Sequence, residues 1–112
     1  MTQDELFDLI ETSPSVAWKE LLALIERSDA DDLPMLGAGV IQAFTYTHAK
    51  PYAERIETEI RSSERFFKAF QYAALTGVPL SIQQNLNRAL LDRGADPKFV
   101  VEYDDGEDES GE

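Results

Sequence analysis

The chain has 112 residues, 43% of them hydrophobic and 29% charged, the size and composition of one ordinary folded domain and more apolar than disordered chains are. It contains no cysteine, so disulfides, thiolate nucleophiles, zinc ribbons and iron–sulfur clusters are excluded together. The formal net charge of -12 is polarised: residues 1–32 carry nine acids against Lys19 and Arg27, residues 102–112 carry seven acids and no base, and residues 33–101 carry six acids against eight bases.

Acidic ends of this kind suit a basic protein surface and repel the phosphates of nucleic acid, so direct nucleic-acid binding is not expected. The opening Met1-Thr2-Gln3-Asp4-Glu5 has no basic segment leading into an apolar run. No stretch approaches the roughly 18 continuous apolar residues that span a bilayer. A cytoplasmic protein without membrane contact is the expectation.

Thr2-Gln3-Asp4-Glu5 is a capping box, and Leu6, Phe7 and Ile10 give the short first helix an apolar stripe. Ser13-Pro14 starts a second helix, with serine as cap and proline at the first position, where its missing N–H costs nothing. Trp18, Leu21, Leu22 and Ile25 recur at helical spacing and make that face core, Trp18 included. Ser28-Asp29-Ala30-Asp31-Asp32 is polar and rich in capping residues, and Pro34 opens a third helix expected to run to about Thr47. Its small residues Gly37, Ala38, Gly39 and Ala43 permit close approach of a neighbour and mark it as the central helix.

Lys50-Pro51 is read as a break, because the residue before a proline is pushed out of the α region. A fourth helix, the longest, is expected from about Pro51 to Leu75, burying Ile56, Ile60, Phe67, Phe70 and Ala74, with Glu57–Arg61 and Glu64–Lys68 as i, i+4 pairs. Gly77 and Pro79 stop it. Ser81-Ile82-Gln83-Gln84 is a second capping box, and Ile82, Leu86, Ala89 and Leu90 form the core face of a fifth helix that ends at Gly94-Ala95-Asp96-Pro97. The alternation at Phe99, Val101 and Tyr103 has no partner strand, so this segment is expected to dock on the bundle in extended form. The fold class is thus all-α: a compact bundle of four main helices plus a short N-terminal one over residues 1–103, with a disordered acidic tail over 104–112.

Ala73-Ala74-Leu75-Thr76-Gly77 and Leu90-Leu91-Asp92-Arg93-Gly94-Ala95-Asp96-Pro97 resemble pieces of an ankyrin repeat. The gap between them is several residues too long, the threonine-proline-leucine-histidine signature is absent, and there is no second copy. Helix capping accounts for both pieces.

His48 is the single histidine, so no triad or histidine pair exists, and its expected place is a helix C-terminus, where its charged form meets the negative dipole end. In the tail, setting Gly106 at the sixth position of a calcium loop puts Val101 at the first, which needs a carboxylate. No phosphate loop is present, and Gly37-Ala38-Gly39 lacks the third glycine and the preceding strand of a dinucleotide site. No cofactor, metal or catalytic residue is therefore assigned. Function by elimination is that of a non-enzymatic protein-binding module, an adaptor or inhibitor of a basic partner protein. The alternatives are a nucleic-acid mimic of the anti-restriction or anti-CRISPR type, an immunity protein against a nuclease toxin, or a subunit of a larger assembly. Two candidate surfaces follow. One is acidic: Asp29, Asp31 and Asp32, with Asp104, Asp105, Glu107, Asp108 and Glu109 in the tail. The other is an apolar groove at Phe66, because adjacent Phe66 and Phe67 point in different directions on a helix and one is expected at the surface.

Overall fold

The computed structural model describes residues 2–102, all helix, turn or extended connection, with no strand among them. The tail acids Asp104, Asp105, Glu107, Asp108 and Glu109 lie outside the described residues. Helix α1 (Gln3–Thr12) opens with the expected reciprocal box: Glu5 N–H donates to Thr2 Oγ1 at 3.2 Å and Thr2 N–H to Glu5 Oε1 at 2.8 Å. Two orphan amides are thereby satisfied at once. Leu6 and Ile10 are buried, whereas Phe7 is 38% exposed. Helix α2 (Pro14–Arg27) carries its proline in the first turn and buries Ala17, Leu21 and Ile25.

After a 3-10 turn (Ala30–Asp32), α3 (Leu33–Leu36) leads into a π-helical segment (Gly37–Ile41) and then α4 (Gln42–Ser62). Gly37 is what lets α5 (Glu64–Phe70) lie against this run: a Cβ built at Gly37 would stand 1.8 Å from the carbonyl oxygen of Ala69. Gly39 has no such role, with only Gln3 Oε1 at 3.8 Å.

The expected break before Pro51 is present: α4 is two helical stretches joined across a kink at His48, where φ is -126° and ψ is 30° and the backbone leaves the helix. Pro51 has no N–H for the carbonyl of Thr47 and its ring crowds that carbonyl, so the interruption falls one turn upstream of the proline. One boundary differs from expectation: a second break falls at Ser63 (φ -114°, ψ 116°), whose hydroxyl accepts the Phe66 N–H at 3.2 Å and caps α5. The long helix expected from Pro51 to Leu75 is therefore two helices, because a serine able to cap competes with helix continuation.

Beyond α5 the chain turns through Gly77, whose φ of 87° is open to glycine and whose absent side chain makes room for the Tyr46 ring. Helix α6 (Leu80–Asp92) begins at Leu80 with Pro79 as its cap residue, two positions before Ser81, the cap of the expected box. Here Ile82 N–H and Gln83 N–H both donate to the Pro79 carbonyl at 3.0 Å. The final described segment docks, but not in the expected extended form: a 3-10 turn (Pro97–Phe99) places the Phe99 ring 5.0 Å from Tyr72, Val100 and not the exposed Val101 packs on the core, and Asn87 Nδ2 donates to the Val101 carbonyl at 3.2 Å, while Tyr103 lies outside the described residues. One core unites all six helices. No helix among the described residues is long and apolar enough to cross a membrane.

Candidate functional site

The acids of the 29–32 segment are held at the junction between α2 and α3. Asp29 is extended, with ψ of 153°, and its carbonyl accepts the Asp32 N–H at 2.9 Å, which closes the 3-10 turn. All three aspartates are exposed, and their carboxylates form no ion pair or hydrogen bond with the described residues. The junction itself is anchored from below. Arg65 on α5 donates from Nε to the Ile25 carbonyl at 3.0 Å and from Nη2 to the Ser28 carbonyl, taking up the free C-terminal carbonyls of α2. The aspartates thus stand on a fixed platform while their charge faces water.

Phe66 is not at a surface groove. It is 1% exposed and Phe67 is 8% exposed, so the expectation of an apolar contact site there is corrected. Helix α5 is short and lies against α2, α3 and α4, and the two neighbouring rings, about 100° apart on the helix, both meet protein. Phe66 packs on Trp18 (6.0 Å between centroids) and Phe70 (5.9 Å), while Phe67 carries the Arg93 guanidinium over its ring at 5.2 Å. The sequence signal that α5 is covered on two sides lies in its run Phe66, Phe67, Ala69, Phe70, too apolar for a one-sided helix.

Exposed large apolar side chains are scattered, Tyr46 the most exposed at 63%, and two of them stand next to the segment of the aspartates. Met35 is 54% exposed and Tyr72 43% exposed, and Pro34, Leu33, Ala30 and Tyr72 with Lys68 and Gln71 line a small cleft of about 170 Å³. Asp29, Asp31 and Asp32 flank Ala30 in the chain, so the acidic and apolar elements adjoin here.

A second cleft, about 260 Å³, opens between α2 and α4 and is lined by Trp18, Glu54, Arg55, Thr58 and Glu59. Trp18 is half-buried, so it is a wall residue as well as a core residue: its ring contacts Phe44 at 5.3 Å and Tyr52 at 5.7 Å from within. Partial burial pushes the Glu59 carboxyl above its ordinary value, and the nearby Glu26 carboxylate adds to the rise. Arg55 does not relieve this pair; its guanidinium lies over the Tyr52 ring at 4.7 Å.

Comparison with protein families, with curated proteins and with solved structures gives no match. The site is therefore read from its own chemistry.

His48 is part of the scaffold. It stands at the end of the first helical stretch of α4, as expected, and its Nε2 is 2.6 Å from the carbonyl oxygen of Ile10, a contact that ties the kink to α1. At the opposite end, Arg61 bonds Asp92 at 2.9 Å and Glu57 at 3.1 Å, and the Asp92 and Glu57 hydrogen bonds raise its pKa further. Arg93 bonds Glu64 at 2.9 Å and the Arg61 carbonyl at 2.6 Å, which closes α4, α5 and α6 together at that corner. Among the described residues no three His, Asp or Glu side chains stand together as a metal site.

Proposed function

We propose that the protein is a non-enzymatic binding module that recognises a basic protein surface, an adaptor or inhibitor whose contact face centres on Asp29, Asp31 and Asp32. The observation that carries this reading is that the three carboxylates are exposed and unpartnered while the backbone beneath them is held by Arg65. A rigidly placed row of unpaired charge is suited to steering and orienting a partner of opposite sign. The burial of Phe66 removes the competing apolar groove, and the cleft of Pro34 and Tyr72 beside the acids supplies apolar area at the same place.

The experiment is a comparison of the full chain with its Asp29→Asn/Asp31→Asn/Asp32→Asn variant as immobilised baits for an extract of the native source. The proteins captured are identified and their association rates are then measured singly. The expected partner is basic, associates at least about tenfold more slowly with the variant, and slows further above physiological salt, where the Debye length falls below about 8 Å. A partner indifferent to both changes defeats the reading. Displacement of the chain from its partner by that partner's own DNA or RNA would turn the assignment to a nucleic-acid mimic.

A further inference from the structure

We propose that the cleft between α2 and α4 is a socket for one arginine side chain of the partner, its guanidinium lying against the Trp18 indole and bonding to Glu54 and Glu59. The proposal rests on the reading of a basic partner and adds a specific receptor to it. The cleft, at about 260 Å³, is walled on one side by the exposed part of Trp18 and on the other by α4, where Glu54, Thr58 and Glu59 lie within about a turn and a half of one another. An aromatic face and carboxylates lining one concavity suit a planar cation: the guanidinium stacks on the ring while its N–H fork bonds the carboxylate oxygens.

Three observations show that the carboxylates of this site are not neutralised by a cation among the described residues, although Arg55 stands in the lining. Neither Glu54 nor Glu59 makes an ion pair or hydrogen bond among the described residues, although Glu57, one turn along, is paired with Arg61. Glu26 of α2 adds a third negative charge close enough to act on Glu59. The one base in the lining, Arg55, is turned onto Tyr52, which displays the same guanidinium–aromatic geometry one ring deeper and leaves Trp18 uncovered by any cation. Glu59, partly buried and opposed by Glu26 beside a free aromatic face, is relieved by a cation from outside.

Because Trp18 is the single tryptophan, it reports on the socket directly. Hexa-arginine is titrated into the full chain at physiological ionic strength, following the Trp18 indole N–H resonance and its fluorescence. A saturable shift is expected. Glu54→Gln/Glu59→Gln, isosteric and relieved of a charge opposed to Glu26, should raise the half-saturating concentration at least about fivefold, whereas the charge-matched Asp8→Asn/Glu11→Gln, on exposed α1, should change it less than about twofold. Hexalysine of equal charge should shift Trp18 less, since an ammonium lacks the planar fork. Equal weakening by the two double variants, or an equal response to hexalysine, overturns the arginine socket. A silent Trp18 with hexa-arginine still bound in a manner sensitive to the Asp29, Asp31 and Asp32 substitutions overturns the socket alone. Absence of any binding overturns both it and the basic-partner reading.

Discussion

Arg65 shows how one side chain governs the proposed contact face. Its two donors occupy the Ile25 and Ser28 carbonyls, and with Arg65→Met the stem is kept and both bonds are lost. Charged hydrogen bonds of this kind contribute about 1.5–3 kcal/mol, so the variant should melt on the order of ten degrees lower by calorimetry. A loss below a degree or two would mean that the carbonyls find water at no cost. Glu59 gives a pH signature. Its carboxyl is raised by burial and by Glu26, so its protonated form is the one the fold favours. The associated stability is complete below the ordinary value of 4.5 and is lost as pH rises through the higher folded value. Glu59→Gln should therefore stabilise the protein at pH 7 by a few tenths of a kcal/mol, discounted for solvent screening, and make no difference near pH 3. Urea titrations at the two pH values decide it; a gain that persists in acid would point to packing instead of charge. At Trp18, partial exposure places the expected cost of Trp18→Ala at about 2–3 kcal/mol, below that of a fully enclosed tryptophan.

The helices were legible where local chemistry alone sets them. The Thr2–Glu5 box, Pro14 in the first turn of α2 and the positive φ at Gly77 and Gly94 all follow from groups within a few residues of one another. In the α3–α4 run the interruption near Pro51 was legible too, since a proline acts on the turn before it, and the backbone leaves the helix at His48. The angle between the two halves was not, because it depends on what they pack against, and Phe44, Tyr52 and Ile56 are buried on both sides of the bend. The two glycines of this run divide the same way. Gly37→Ala should cost more than about 2 kcal/mol, since the added methyl meets the backbone of Ala69 and rigid backbone cannot move aside cheaply. Gly39→Ala should stabilise by about 0.5–1 kcal/mol, the usual gain of alanine over glycine in a helix with open space. Chemical denaturation of the two variants tests the pair, and equal effects would show that the close contact of α5 with the start of the π-helical segment is not maintained in solution.

Over the whole molecule, charge is the dominant surface property: the net charge is -12, while the ion pairs among the described residues gather at the corner formed by Arg61, Glu57, Asp92, Glu64, Lys68 and Arg93. Repulsion among unpaired acids should therefore outweigh those exposed pairs, which are each worth little. Raising sodium chloride from low to physiological concentration at pH 7 should raise the melting temperature by a few degrees as repulsion is screened. A fall would show that the corner network governs stability. The sequence by itself determined the all-helical class, the Thr2–Glu5 cap, most of the apolar stripes and the exposure of Asp29, Asp31 and Asp32, because these depend on short-range periodicity, hydrogen bonding and solvation. Only the tertiary structure decided that Phe66 is core, that Trp18 is both core and cleft wall, and that Met35 and Tyr72 supply the apolar surface near the acids. Periodicity states which way a residue points from its own helix, but burial is settled by how many neighbouring helices meet it there, and α5, pressed by α2, α3 and α4, leaves only its Glu64–Lys68 edge in water, away from Phe66.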